Sequence, residues 1–377
     1  MVHYNMPGHI ITSEKFENLL ISGVPFLDVR AEIEFSKGSF PTSTNIPILQ
    51  DYERQVVGTC YKKNGRKAAI ELAHSLINGP TKVQRIEAWC EFARANQNVH
   101  IYCWRGGMRS KYAHDWILGS GINIPLIDGG FRALRHVIHD QITDAADQVP
   151  VVRIGGKTGT AKTVLVNTVE FSTDLEGHAN HRGSSFGQRV SGVPTQVNFE
   201  NSLGIDLLRK RHAFPGRTLV VEDEGRRIGS NFIPKEFFDK MRTADIAVVE
   251  MPLEIRVQRI AQEYVTQMTK EFLNAYPIDG WEMFVDYLTQ SLFRVRKRLG
   301  SENYKLIASL MKSALRRQYE DGDTSGHDSW IVAMLRDYYD PMYAYQLEAQ
   351  SNKVVFQGGY DDVLNWAIER SCTLKNT

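Results

Sequence analysis

The stretch His100-Ile101-Tyr102-Cys103-Trp104-Arg105-Gly106-Gly107-Met108-Arg109-Ser110 decides the first half of the fold. His100–Tyr102 reads as a short strand, Gly106-Gly107 as a turn, and Ser110–Leu118 as a helix. Cys103 therefore sits where a strand stops and a helix starts. In such a turn backbone N–H groups point at the sulfur, and the helix N-terminus adds a positive dipole. Arg105 and Arg109 add full charges. All three favour the thiolate, the nucleophilic form of cysteine. A terminal sulfur or selenium anion carried on Cys103 is stabilised by the same cradle. The alternative, an inert core cysteine, has no need of two arginines and two glycines within the next six residues.

Outward from this loop, Pro25–Val29 is a buried strand ending in a charged turn, and Pro125–Asp128 is another, closed by Gly129-Gly130. Strands alternating with helices predict a parallel α/β sheet. The polar segment Asp140–Pro150 reads as a linker. Residues 1–145 then form one domain and 146–377 a second, as expected for 377 residues.

The residues around the cysteine loop resemble the rhodanese family. Asp28-Val29-Arg30, Glu34, Gly38 and Asn45-Ile46-Pro47 are similar to its first signature, Cys103–Arg109 to its active-site loop, and Gly129-Gly130-Phe131 to its closing motif. Cys103 and Arg109 also satisfy the C-x5-R spacing of cysteine phosphatases. Those enzymes need an acid for the leaving alkoxide, which the sequence does not single out, and a histidine directly before the cysteine, which is absent.

The second domain opens with Val151–Ile154, a strand, followed by Gly155-Gly156-Lys157-Thr158-Gly159-Thr160-Ala161-Lys162-Thr163 and a helix. Strand, glycine-rich turn and helix in this order are the context of a phosphate-binding P-loop. Lys162 would span two phosphates and Thr163 would face Mg²⁺. Ala161 departs from the usual glycine before the lysine, and a small residue is tolerated there if its φ is negative. Leu219–Val221 leads into Glu222, Asp223 and Glu224, which suits a Walker-B-like role as well as a solvated strand end. Further strands are expected at Arg217–Val221, Ile246–Glu250 and Val354–Phe356, with Asp361 capping a final helix. Residues from 253 to about 350 read as a long, charged, helical region.

Two polar loops are candidates for substrate contact: Asp174–Gly187, with His178, His181 and Arg182, and the segment from Arg226 and Arg227 to Asn231. Arg294, Arg296, Lys297, Arg298 and Lys305 form a basic run with Phe293 and Tyr304 nearby. It reads equally as a solvated helix face or as a contact for nucleic-acid phosphates. The net charge of +1 gives no global sign of a polyanion partner, so any such contact has to be local.

A cysteine loop fused to a P-loop, with Gly58-Thr59-Cys60-Tyr61-Lys62, the Asp174 and Glu222 strings and Tyr338-Tyr339-Asp340-Pro341-Met342-Tyr343-Ala344-Tyr345-Gln346, resembles the bacterial tRNA 2-selenouridine synthases from about Phe16 to Trp366. The resemblance implies replacement of sulfur by selenium in wobble 2-thiouridine of tRNA, with selenophosphate as donor. It also implies prior S-geranylation from geranyl diphosphate, and a selenophosphate-supplying enzyme as a partner. The P-loop would hold either the diphosphate of geranyl diphosphate or a nucleotide, with Mg²⁺. A related sulfur-inserting or nucleotide-hydrolysing enzyme, and a non-catalytic RNA-binding protein, are the other readings. Cys60, among Lys62, Lys63 and Arg66, suits a structural or substrate-contact role better than resolution of a perselenide.

Four cysteines at irregular spacing, with no CxxC pair, predict neither disulfide framework nor structural metal. Cys90 and Cys372 lie outside any motif. The first residues lack a signal-peptide core, and no stretch is long and apolar enough to span a bilayer. A cytoplasmic protein is expected.

Overall fold

The computed structural model describes residues 10–373. Residues 1–9, part of the opening segment read for a leader, lie outside them. The chain divides into two compact units, Met1–Thr143 with Thr195–Arg209, and Asp144–Pro194 with Lys210–Thr377. Thr195–Arg209, which a single cut at 145/146 assigns to the second half, packs with the first unit. The reason is local. Gly204 lies against Ile138, where a Cβ would stand 2.5 Å from Cγ2, and Asn201 receives Arg135 (2.8 Å) while donating to the Ser39 carbonyl (2.8 Å).

In the first unit β1 (Ile10–Ile11), β2 (Phe26–Asp28), β3 (Ser43–Asn45), β4 (His100–Tyr102) and β5 (Leu126–Ile127) form one parallel sheet, ordered β1-β5-β4-β2-β3. The central strands β2 and β4 are buried throughout. Asp28, at the end of β2, accepts from the Arg30 guanidinium at 2.6–3.0 Å, and neither side chain is exposed. Arg30 donates onward to the Gly38 carbonyl (2.7 Å), and Asn45 Nδ2 donates to the Asp28 and Arg30 carbonyls (2.9 and 2.8 Å). One buried ion pair thus ties together the scattered residues of the Asp28–Asn45 signature.

The second unit has a parallel sheet of β6 (Val151–Gly156), β7 (Ser172–Thr173), β8 (Leu219–Glu222), β11 (Asp245–Val249) and β12 (Val354–Gly358), ordered β12-β11-β6-β8-β7. A short antiparallel hairpin pairs β9 (Arg227–Ile228) with β10 (Asn231–Phe232). The strand β6 is central and buried at every residue. Its carboxyl end is where such sheets place their ligands. Helices from Leu253 to Glu348 pack around a separate apolar core that includes Val265, Phe284, Leu288 and Trp330. Two π-helical turns, Gln262–Gln267 and Leu335–Tyr339, interrupt this region.

Two expectations from the sequence need correction. Asp140–Pro150 is no linker, because the helix Gly130–Gln148 runs through most of it. Its polar residues mask a buried stripe of Ile138, Ile142 and Ala145, spaced at one helical face. Asp361 is not the cap of the last helix, Tyr360–Cys372. Gly359 precedes that helix, and Asp361 lies in its acidic first turn, where its charge meets the helix dipole. All four cysteines are free. No helix among the described residues is long and apolar enough to cross a membrane.

Asp28→Ala strands the Arg30 charge in the core, a defect that costs about 3–5 kcal/mol. Urea unfolding of the first unit, followed through the buried Trp89, is expected to show a loss of that size. A change under ~1 kcal/mol would mean that the pair is not structural.

Candidate functional site

The cysteine loop is held by backbone contacts. The Cys103 and Trp104 carbonyls accept from the Phe131 and Arg132 N–H groups (2.9 and 3.1 Å). Gly130, with φ +59°, lies so close that a Cβ would stand 2.2 Å from the Cys103 carbonyl oxygen and 2.5 Å from Gly106 N. Gly106, with φ +62°, meets the Ile127 carbonyl and Gly129 N from the other side. Both positions require glycine for conformation and for space. The closing motif is therefore the clamp of the loop.

Cys103 is buried, and its sulfur accepts from Ser110 Oγ at 3.2 Å. Ser110, on the helix Met108–Gly119, also donates to the Gly107 carbonyl (3.1 Å). Arg109 pairs with Glu34 at 2.5 and 3.2 Å, and Glu34 also receives Arg54 at 3.6 Å. Burial works against the Glu34 charge, but Arg109 and then Arg54 outweigh it and hold its pKa below the usual value. Arg109 is raised in turn, by Glu34 first and by Cys103 next among the charges that oppose its own burial. Arg105 and Trp104 are exposed, the indole stacked on Phe131 at 5.4 Å. Ser110 is a contact that the motif reading missed. Its signal was only the position seven residues after the cysteine, on the first turn of the helix.

In the second unit, the loop after β6 is closed on itself. Lys162 Nζ donates to the Gly156 carbonyl (2.8 Å), and Thr160 Oγ1 to the Lys157 carbonyl (2.8 Å). The sequence allows alanine before the lysine only at negative φ, yet Ala161 sits at φ +61°, ψ 33°. A left-handed alanine costs about 1–2 kcal/mol, and strain of this kind concentrates at functional sites. Gly155, Gly156 (φ +150°), Thr158 and Gly159 (φ +87°) complete the turn. The loop is braced from far along the chain. Arg256 donates to the Thr158 carbonyl (3.3 Å) and makes two bonds to Asp340 (2.8 and 2.7 Å), which lies 3.6 Å from Lys157.

The three carboxylates after Val221 take different places. Glu222 is buried, accepts from Leu175 N–H (3.0 Å), and is pushed well above the usual range by burial, then by Asp174 and Glu176. Its place is structural, at the start of the turn Leu175–His178. Asp223 is paired with Arg153 at 2.6 Å. Glu224 faces Glu176, whose carboxylate accepts from Thr163 Oγ1 at 2.9 Å. Gly183, with φ +61°, covers both, since a Cβ there would stand 2.3 Å from Glu176 Oε1 and 3.0 Å from Glu224 Oε1. Burial first, and the Glu176 charge next, push Glu224 up to about 8, with Lys162 pulling the other way. Glu176 and Glu224 thus hold a proton between them at neutral pH.

Lys162, Thr163, Glu176, Asp223 and Glu224 line a cavity of about 920 Å³, together with Arg182, Arg227, Arg298, Tyr264, Tyr339 and Tyr343. Tyr264 and Tyr339 come from the two π-helical turns. A second cavity of about 530 Å³ shares Gly183, Ser184, Arg227, Arg298 and Tyr339 with it and adds His181 and Arg294. Burial, then Arg294, Arg182 and Arg189, lower His181 to about 4, so it is neutral. His178 is half-buried on the short turn Leu175–His178, and Arg226 is exposed beside the hairpin. The basic run divides. Arg294 donates to the Ser185 carbonyl (3.0 Å) and lines a cavity with Arg298, one helical turn on. Arg296 lies on the Phe293 ring (3.6 Å), and neither it nor the exposed Lys297 lines these cavities.

The acid pair sets a pH dependence. Glu224 is raised, so its contribution to stability is complete below the unfolded carboxyl value and is lost as pH rises toward 8. Above that, two charges face Lys162. Pyrophosphate affinity without divalent cations is expected to fall through pH 8 in calorimetric titration, and Glu224→Gln to remove that fall. An equal decline in both proteins would exclude the pair as its cause.

A family model described as the tRNA 2-selenouridine synthase AAA domain matches residues 149–373. A tRNA 2-selenouridine synthase from Photobacterium profundum is 42% identical over 95% of this chain and 98% of that protein. One from Shewanella woodyi is 43% identical over 96% and 98%, and one from Azotobacter vinelandii 45% identical over 94% and 96%. A glycine-clamped cysteine loop, a braced phosphate-type loop and relatives matched almost end to end place the chain in the tRNA 2-selenouridine synthase family.

Proposed function

We propose that this enzyme replaces sulfur by selenium in wobble 2-thiouridine of tRNA through an S-geranylated intermediate, with Cys103 as the chalcogen-carrying nucleophile. The observation that carries this reading is the clamped loop, which fixes a buried sulfur between a strand end and a helix start, beside the Ser110 hydroxyl. The first step is alkylation. The thiocarbonyl sulfur attacks C1 of geranyl diphosphate, the C–O bond breaks, and pyrophosphate leaves. Gly155–Thr163 is the cradle for that diphosphate, and Lys162 stabilises the departing charge. The large, polar, partly basic cavity around Lys162 supports this assignment. Thr163, Glu176 and Glu224 offer the oxygen donors that Mg²⁺ prefers, with phosphate oxygens and water to complete its octahedron. The ion would offset charge on the diphosphate.

The second step is exchange. Once S-alkylated, the sulfur is a competent leaving group. Selenophosphate held at the Cys103 loop attacks C2 through its selenium, geranylthiol departs, and water then takes the phosphoryl group from selenium as phosphate. Carriage on Cys103 as a perselenide instead releases phosphite on loading and needs a second thiol to free the selenouridine from the Se–S bond. Arg227, Arg294 and Arg298 with His181 are the best-placed contacts for RNA in the second unit, and neutral His181 adds no charge. Replacing Arg294 and Arg298 by glutamine is expected to flatten the slope of log affinity against log salt for tRNA by about one to two. The same change at Arg296 and Lys297 should have less effect. An unchanged slope in the first pair places RNA elsewhere.

The two steps separate by mutation. Cys103→Ser is expected to accumulate geranylated tRNA and form no selenouridine. Lys162→Ala is expected to leave thiouridine unalkylated, yet to convert tRNA supplied already geranylated. Mass detection of digested nucleosides reads all three species. Normal selenouridine from folded Cys103→Ser removes the nucleophile, and normal geranylation by Lys162→Ala removes the diphosphate assignment in favour of a nucleotide.

A further inference from the structure

The first unit contains a cavity of about 530 Å³ that the reaction as described does not use. Its origin is a break in the helical stretch Asp51–Leu76 at Gly65, whose φ of +84° is left-handed. The two arms of that stretch, with the helix Met108–Gly119, form the walls. Val57 and Thr59 come from the first arm, Ile70 and Ala73 from the second, and Ile77 from just beyond it. Met108, Tyr112 and Trp116 follow one another at four-residue spacing, so they make one stripe running away from the cysteine loop. That stripe is about 12 Å long.

The cavity is apolar inside and basic at its edge. Its lining residues include Arg54, Lys62, Arg66 and Arg109. Glu34 engages Arg109 and Arg54, while Lys62 and Arg66 are exposed. An apolar slot with cationic groups at its edge suits a hydrocarbon chain attached to a polyanion. A free lipid and a diphosphate both meet parts of this description. Met108 and Arg109, however, open the helix that directly follows the Cys103 loop, and so one end of the slot is built beside that loop.

We infer that this cavity receives the alkyl group on the wobble sulfur during selenium transfer, with Lys62 and Arg66 against the RNA backbone. The inference rests on the two-step reading above. Selenium forms its bond to C2, and the C2–S bond breaks with its electron pair going to sulfur. The sulfur then takes a proton from solvent. The product alkylthiol is left with its chain in an apolar pocket, where it no longer competes for C2. The string Gly58–Lys62 supplies Gly58, Thr59, Tyr61 and Lys62 to the wall.

The experiment compares binding of synthetic anticodon stem-loops carrying S-methyl, S-dimethylallyl or S-geranyl 2-thiouridine to the full-length protein, by fluorescence anisotropy. Each methylene that enters the slot adds up to about fourfold in affinity, so affinity is expected to rise along the series by roughly tenfold or more overall. A flat series overturns the inference without any variant. Ala73→Phe fills the slot, and Ile70→Gln makes it polar. Both positions are half-buried, and circular dichroism checks the fold. Both variants are expected to compress the series to within roughly twofold and to slow conversion of supplied S-geranyl RNA to selenouridine. If they retain the full series, the chain lies elsewhere. If they instead weaken binding of geranyl diphosphate, the slot belongs to the donor, and the inference also falls. Failure of the wild-type protein to make S-geranyl RNA at all would sink the two-step reading separately, since the probe RNAs are made chemically.

Discussion

The first unit depends on a contact between two stretches of backbone. At Gly130 there is no room for even a methyl group, because the Cys103 carbonyl oxygen would stand 2.2 Å from it. That closeness lets the Phe131 and Arg132 N–H groups reach the loop carbonyls and hold the cysteine without using its side chain. The role proposed for Cys103, carrying and releasing a large atom, benefits from this arrangement. Its scaffold is rigid, while its sulfur keeps a single hydroxyl donor, Ser110. The buried Asp28–Arg30 pair extends the same logic one strand further. It fixes the end of β2, places the Arg30 guanidinium 4.0 Å over the Phe131 ring, and so supports the clamp from behind.

The second unit solves a different problem, the management of negative charge. Five carboxylates, Asp174, Glu176, Glu222, Asp223 and Glu224, are gathered near one phosphate-type loop, and they do not act alike. Burial pushes the Glu222 carboxyl upward, Arg153 compensates Asp223, and a shared proton moderates Glu176 and Glu224. The acid pair is the adjustable member. Bracing by Arg256 and Asp340 holds the loop in shape, including the left-handed Ala161.

Much of this was legible in the sequence because it is local. The strands β2, β4, β5, β6, β8, β11 and β12 announce themselves as apolar runs, and the cysteine and glycine-rich loops follow β4 and β6 directly. The strands β1, β3 and β7 do not, β1 being a pair of residues at the sheet edge, and Ser43-Thr44-Asn45 and Ser172-Thr173 being as polar as any turn. The helix through Asp140–Gln148 was hidden because its acidic face outweighs a narrow buried stripe. Contacts made at long sequence separation left no signal at all. Arg256 and Asp340 are 84 residues apart, and nothing in either neighbourhood says that they meet under a loop. The roles of the three consecutive carboxylates were equally unreadable, since strand alternation gives their sides but not their neighbours.

On the proposed two-step route, the polarity of the cavities matches the fate of the alkyl chain. It enters the reaction attached to a diphosphate, whose several negative charges need lysine, backbone dipoles and a cation. It leaves on a neutral thiol, which needs none of these and gains only from removal of hydrocarbon from water. One cavity cannot serve both states well. Basic groups that bind the diphosphate would be left uncompensated by the thiol, and an apolar slot would exclude the diphosphate at a large desolvation cost. The cavity around Lys162 is more polar, rich in arginines and carboxylates. The cavity beside Met108 is apolar along most of its wall. That difference is what a reaction needs when its substrate sheds its charge between the first bond broken and the last.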